Sequence, residues 1–416
     1  MAGYTARTGA SRRGKENTDV SGSRRALAGT AAVACAVLAG SGSAWAGNGN
    51  GHGNGHGPKK HQGPPRAPGA TVTQLVSGLD NPRDLAFGPA GRLFVAEAGH
   101  GGSECIPGGG PPGEETCVGF TSGVSKIESS GAHHRVLTGL TSSAEPDGTF
   151  AIGVDGVSLL GNGDMFAVEG ESSHAVPPEA SKFLSADTVD KARAQLGRLI
   201  KTNPSGNWRA VADVGDFDFQ WTEEHKELVP EQFPDANPYN VLTEPGTNWV
   251  IDAASNTLDQ VRSNGSIGVV AFFPNPPVSD AVPTCVDRGP DGAFYVSELT
   301  GTGNAAGAAV VWRVVPGQAP TEWASGLTSV TGCGFGTDGQ FYAVEFSTKP
   351  LLEAAPGTGA VVRVPPHSTS PTPVVEELSF PNGFAAAGGA LYVSNWSIAP
   401  ASNGGGPTGE VLRIVP

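Results

Sequence analysis

A seven-residue pattern of apolar and polar positions recurs six times along this chain. The copies are 91–97, 163–169, 246–252, 292–298, 339–345 and 389–395. Each opens on a glycine and places an aromatic residue three positions later: Phe94, Phe166, Trp249, Tyr295, Tyr342 and Tyr392. Each closes on an acid or amide: Glu97, Glu169, Asp252, Glu298, Glu345 and Asn395. A short apolar run rich in Val, Tyr and Phe, entered through a glycine turn, reads as a buried β-strand. Six equivalent strands in one chain predict an all-β fold, a six-bladed β-propeller.

The flanking sequence supplies the rest of each blade. An innermost strand precedes each glycine turn, as in 84–87 and 285–288. A third strand with a recurring base follows: Lys126, Lys201, Arg313, Arg363 and Arg413 mark five of the six blades. A fourth strand ends in a Gly-Leu turn, as at Gly139-Leu140 and Gly326-Leu327. The sixth blade runs out of chain at Pro416 after its third strand. Residues 72–79 read like the missing fourth strand, so the N-terminal strand is expected to pair into the last blade and close the ring. The long insertions 98–121, 170–193, 215–238, 346–358 and 396–408 all fall at the acid end of the repeated strands, the face where a propeller binds its partners. Residues 185–194 are the one segment that reads as a helix, with Ser185 or Asp187 as its cap.

Residues 1–46 differ from the rest. Six bases precede a charge-free stretch, 26–40, and Ala44-Trp45-Ala46 reads as a cleavage site, so an export signal is expected, of either the Sec or the twin-arginine type. Residues 47–70, rich in Gly, His and Pro, read as a flexible tether. Residues 71–416 remain for the propeller, roughly 58 per blade, with the surplus over common repeats in the insertions. The whole chain carries −14; six bases and two acids lie in the first 46 residues, which leaves −18 for the remainder. That balance argues against nucleic acid or an anionic membrane as partner and suits a soluble secreted protein.

Four cysteines follow the signal. Cys105 and Cys117 bracket a Gly/Pro-rich loop and predict a disulfide in an exported protein. Cys285 and Cys333 lie on neighbouring innermost strands and read as a second disulfide or as two core thiols. None of the common catalytic signatures is present, neither G-x-S-x-G, H-E-x-x-H, a P-loop nor C-x-x-C. The constellation with possible chemistry is the ring that ends the six repeats: Glu97, Glu169, Asp252, Glu298, Glu345 and Asn395. Hard oxygen donors around one channel mouth could hold Ca²⁺ or Mg²⁺, which could polarise a carbonyl or activate water. The same acids could instead cap their blades, pairing with backbone N–H groups or with the recurring bases. His100 and His174, in insertions on the same face, are candidate acid–base residues.

Several of these segments together resemble the ScyD/ScyE family of secreted, NHL-like six-bladed propellers. The likeness spans 71–416. It rests on Leu79-Asp80-Asn81-Pro82-Arg83-Asp84-Leu85-Ala86-Phe87-Gly88-Pro89, on the Cys105/Cys117 loop, and on Asp235-Ala236-Asn237-Pro238-Tyr239-Asn240 with 250–256. It implies export and a propeller, and supplies no catalytic residues. More distantly the pattern is similar to lactonases and streptogramin-lyase-like propellers, which use a divalent ion at the channel. The expected function is a monomeric secreted propeller that binds a small molecule or an extracellular protein through its long-loop face without catalysis. The alternative is a divalent-metal-dependent hydrolase or lyase at the channel mouth. A quinone-dependent dehydrogenase ranks third, since no cluster of bases and histidines marks a quinone site.

Overall fold

The computed structural model describes residues 69–109, 115–128, 130–202, 207–275, 277–398 and 408–416. The expected signal and most of the tether lie outside the described residues, as do parts of the first and last insertions. The described chain is a six-bladed β-propeller, each blade an antiparallel sheet.

Strand β1, Thr71–Leu79, belongs to the sixth blade. Blade one contains β2 (Pro82–Phe87), β3 (Leu93–Glu97), the short β4 (Glu104–Ile106), β5 (Thr116–Ile127) and β6 (His133–Ala144). Blade two contains β7 (Val154–Leu159), β8 (Met165–Glu169), β9 (Arg198–Thr202) and β10 (Trp208–Asp213). Blade three contains β11 (Pro238–Glu244), β12 (Thr247–Asp252), β13 (Thr257–Arg262) and β14 (Ile267–Phe272). Blade four contains β15 (Pro283–Arg288), β16 (Phe294–Glu298), β17 (Ala309–Val314) and β18 (Thr321–Leu327). Blade five contains β19 (Val330–Phe335), β20 (Phe341–Glu345), β21 (Gly359–Val364) and β22 (Thr372–Leu378). Blade six contains β23 (Phe384–Ala387), β24 (Ala390–Asn395), β25 (Gly409–Val415) and β1. The β1–β25 ladder runs from Thr71 opposite Val415 to Leu79 opposite Gly409.

The repeated motif is the second strand of every blade. Its opening glycines have φ between 68° and 91°, a left-handed turn that a side chain would strain. The apolar core is divided among the six interfaces between blades. Phe294 and Val296 meet Trp249 and Ile251 between blades three and four. Val76, Leu79 and Val411 meet Leu85, Leu93 and Val95 between blades six and one. Polar ties cross the interfaces as well. Ser394 Oγ donates to Arg83 O at 2.7 Å, and Thr284 Oγ1 donates to Val330 O at 2.7 Å. Both disulfides form; Cys285–Cys333 joins the innermost strands of blades four and five.

Two helices lie in the insertions. Helix α1, Ala186–Gln195, is capped by Ser185, whose hydroxyl accepts from Thr188 N. Helix α2, Val214–Glu224, corrects the expectation of a single helix; Asp213 caps it by accepting from Asp216 N. The insertions pack on one another. Glu104 accepts from Ser185 and Thr188, Lys191 Nζ sits 3.6 Å from the centre of the Phe120 ring, and Ser173 donates to Asp216.

Candidate functional site at the channel mouth

The ring that ends the repeats is built from six separately held side chains. Glu97 accepts from Asp80 N at 2.6 Å and pairs with Arg135 at 3.0 Å. Asp252 accepts from the backbone N–H groups of Asn237, Ala254 and Ser255. Glu345 accepts from Thr328 N, and Asn395 accepts from Ser379 N while donating to Glu410. Each of these four thus holds the backbone just before the innermost strand of its own blade. In blades two and four that backbone donor is already taken. Ile152 N donates to Ser143 O, and Ala281 N donates to Asn275 Oδ1. Glu298 accepts from the Trp312 indole instead. Glu169 is left with no hydrogen-bond partner for either oxygen and is 1% exposed. Burial, reinforced by Asp155, pushes its carboxyl well above the usual range.

The recurring bases do not serve as partners of the ring, contrary to one expectation. Lys126, Lys201 and Arg313 pair with Glu128, Asp164 and Asp291. The antiparallel register explains this. Each base lies opposite the motif aromatic, as in Arg313 opposite Tyr295 and Lys201 opposite Phe166, toward the glycine-turn end of the strand rather than the acid end. His100 Nδ1 lies 2.5 Å from Asp80 Oδ2, which raises its pKa, and is half-exposed. His174 stacks on Phe219 with ring centres 3.7 Å apart.

A second set of six residues, which the sequence reading missed, lies at the start of the innermost strands. These are Arg83, Asp155, Tyr239, Thr284, Thr331 and Asn382, each seven or eight residues before a motif glycine. Thr284 and Thr331 tie neighbouring blades through carbonyl oxygens. The other four face one another. Arg83 Nε lies 3.1 Å from Asp155 Oδ1, and both side chains are buried. Arg83 Nη2 donates to Ala151 O, while Nη1 has no partner. Asn382 Nδ2 donates to Tyr239 Oη at 2.7 Å, from blade six to blade three. Burial outweighs the Arg83 charge and pushes the Asp155 carboxyl up to about 7. The Tyr239 hydroxyl rises to about 12, mainly by burial. An apolar layer adjoins this set: Ala253, Leu299, Phe346, Leu351 and Ile398 pack together, with Phe150, Tyr239 and Phe380 against them.

Two carboxyls thus influence each other: Glu169, whose charge burial and Asp155 disfavour, and Asp155, which pairs with Arg83 and is poised near neutral pH. Such a pair can supply a general acid and a general base from adjacent carboxyls. The set does not fit a divalent ion, because Asp155 is already neutralised by Arg83 and the guanidinium would repel a second cation. Among the described residues, the trio of potential metal ligands within mutual reach is Cys105, Glu115 and Cys117, and its two sulfurs are joined in a disulfide. Two surface clefts lie elsewhere. One is lined by Tyr295, Trp323 and Phe341, the other by Lys201, Arg209 and Glu244, and none of these residues carries an unpartnered buried atom.

No protein-family model matches the chain, so the ScyD/ScyE resemblance rests on its motifs alone. No curated protein matches it either. Among solved structures it is similar to a gluconolactonase from Xanthomonas campestris, with 10% identity and a TM-score of 0.49, covering 84% of this chain and 90% of that one. Virginiamycin B lyase from Staphylococcus aureus shares 12% identity with a TM-score of 0.42, over 83% of this chain and 99% of that one. The PQQ-bound aldose sugar dehydrogenase from Streptomyces coelicolor shares 12% identity with a TM-score of 0.44, over 85% of this chain and all, 100%, of that one. At these identities the likeness concerns the fold.

Proposed function

We propose that this protein is a hydrolase or lyase that acts on a small ester or lactone at the channel mouth, in place of the non-catalytic binding expected first. The observation that carries the reading is the buried trio of Arg83, Asp155 and Glu169. Asp155 is the general base that activates water or removes a proton. Glu169, held neutral, is the acid that protonates the leaving oxygen. The unpartnered Nη1 of Arg83 is the donor for the developing oxyanion, and the neighbouring apolar layer limits water around these charges.

The test is a panel of lactones, esters and β-elimination substrates, assayed with the wild-type protein and with Asp155→Asn. A general base contributes about 10²–10⁴-fold. The variant is expected to lose at least about a hundredfold in kcat. The wild-type rate should rise with pH through about 7, as the Asp155 carboxyl ionises. A wild-type protein inert toward the whole panel, or a folded variant with unchanged kcat, would remove the reading.

Binding of an extracellular partner through the long-loop face is a second reading. The exposed large hydrophobic residues among the described ones, Phe183, Leu228 and Leu352, all lie in the long insertions. The export expected from residues 1–46 is supported by the two disulfides. No helix among the described residues is long and apolar enough to cross a membrane.

A further inference from the structure

Beside the proposed catalytic trio, three carboxylates meet where α2 packs on blade three. Asp218 projects from α2, Asp252 ends β12 and Asp259 lies on β13; all three are 0% exposed. Asp252 is spoken for by three backbone N–H groups. Asp259 Oδ2 accepts from Thr257 Oγ1, and its Oδ1 has no partner. Asp218 meets no N–H or hydroxyl donor at either oxygen, and what it meets at hydrogen-bond range are the carboxyls of Asp252 and Asp259.

The surroundings deepen the imbalance. Glu171 and Asp235 both interact with Asp252, and Asp280 with Asp235, so the surrounding network adds further acids. The other polar neighbours are neutral: Thr222, Ser255, Thr257 and Asn237. The helix is nonetheless pinned in place. Thr222 Oγ1 donates to Asp235 O and accepts from Asp235 N, and Ser173 holds Asp216. The fold therefore drives one carboxyl, without an N–H or hydroxyl donor, against two others in a dry interior that strongly disfavours uncompensated charge.

We infer that Asp218, Asp252 and Asp259 form a Ca²⁺ site that clamps α2 onto blade three. The donors are all hard oxygens, with neither nitrogen nor sulfur among them, which selects Ca²⁺ or Mg²⁺ over transition metals. The ligand atoms are Asp218 Oδ1 and Oδ2, Asp259 Oδ1 and a second lone pair of Asp252 Oδ2. Asp218 faces both of the others, but no set of one oxygen from each of the three lies wholly within 4.8 Å, so the ion draws Asp252 and Asp259 together. Ca²⁺ tolerates that irregular, partly bidentate set, whereas Mg²⁺ demands a tight octahedron. The ion's role is structural. The site is separate from Arg83, Asp155 and Glu169, and it stands whether or not those three are catalytic.

The experiment strips the full chain with chelator and titrates it with Ca²⁺ and Mg²⁺ by calorimetry. Tb³⁺ luminescence sensitised through Trp221, three residues from Asp218 on the same helix, gives an independent readout. One Ca²⁺ per chain is expected, with Mg²⁺ weaker. Asp218→Asn should weaken Ca²⁺ at least about tenfold, since even residues behind a ligand are worth about 10–100-fold. If that variant does not fold, Asp259→Asn reports on the same site. Asp291→Asn, whose side chain pairs with Arg313, should bind Ca²⁺ as the wild type does. A stripped wild type that takes up no Ca²⁺ overturns the inference and leaves protons to neutralise the trio. Unchanged affinity in both Asp218→Asn and Asp259→Asn overturns it as well.

Discussion

A chain that begins at Asp80 is expected to be recovered as aggregate or unfolded, while one that begins at Ala70 stays soluble and melts like the full protein. The difference between the two is β1. Seven residues of β1, between Thr71 and Leu79, pair with β25, at the other end of the sequence. Each ladder hydrogen bond contributes about 0.5–1.5 kcal/mol net. Leu79 and Val76 are 0% and 4% exposed, in the cluster that also holds Leu85 and Val95 of blade one. Burying each such side chain is worth about 1.5–3 kcal/mol. Together these terms approach the ~5–15 kcal/mol that stabilise an ordinary domain. The loss also bares the whole edge of β25, a template for pairing with other chains. Ala70 is itself buried against the cluster between blades five and six, so the Ala70 chain keeps every contact of this interface. The comparison tests whether the N-terminal strand closes the ring. Equal melting curves for the two chains would show that the sixth blade holds without β1.

The blades were legible because every one repeats the same sentence in the same strand. Glycine with positive φ, an aromatic, two or three small apolar residues and an acid are local requirements, and a local pattern is visible in a linear sequence. The third strands and the innermost strands followed from that frame, which also set Cys285 and Cys333 on neighbouring innermost strands but left open whether they join. The partners of the ring were not legible. Glu345 and Asn395 each accept from a backbone N–H about seventeen residues upstream, and a backbone donor has no letter in the sequence. Helix α2 was hidden for another reason. Phe217, Phe219 and Trp221 alternate with Asp216, Asp218 and Gln220, a period of two that reads against a helix. The axial set did leave a signal. Arg83, Asp155, Tyr239, Thr284, Thr331 and Asn382 lie seven or eight residues before the motif glycines, and each follows a proline or a valine. Five residue types stand at the six positions, with only Thr284 and Thr331 alike, so a search for similarity passes over them. That divergence at a structurally equivalent position separates the chemistry of a repeat protein from its scaffold.

The protein is expected to be most stable at mildly acidic pH and to lose stability as the pH rises from about 4 to about 8. Three buried carboxyls away from the proposed Ca²⁺ site set this behaviour. Burial pushes Asp84 and Glu345 up to about 7 and Glu298 up to about 8, outweighing the hydrogen bonds each accepts. In the unfolded chain these groups titrate near 4. Between the two values the folded protein holds protons that the unfolded chain has released. Unfolding then releases protons, so raising the pH favours the unfolded state. Each tenfold difference in proton affinity is worth about 1.4 kcal/mol. Even partial expression of these displacements amounts to several kcal/mol, and therefore to a fall of several degrees in Tm. Melting curves at pH 5, 6.5 and 8, at fixed salt and with chelator present, would measure the slope. Glu345→Gln and Glu298→Gln keep the oxygen that accepts from Thr328 N and from the Trp312 indole, so each removes the titration while preserving the contact. The double variant is expected to be less dependent on pH than the wild type and to overtake it at pH 8. A wild-type Tm that is flat or rising across this range would mean that Asp84, Glu298 and Glu345 stay ionised inside the fold, with their charge met by donors that the burial argument has undervalued.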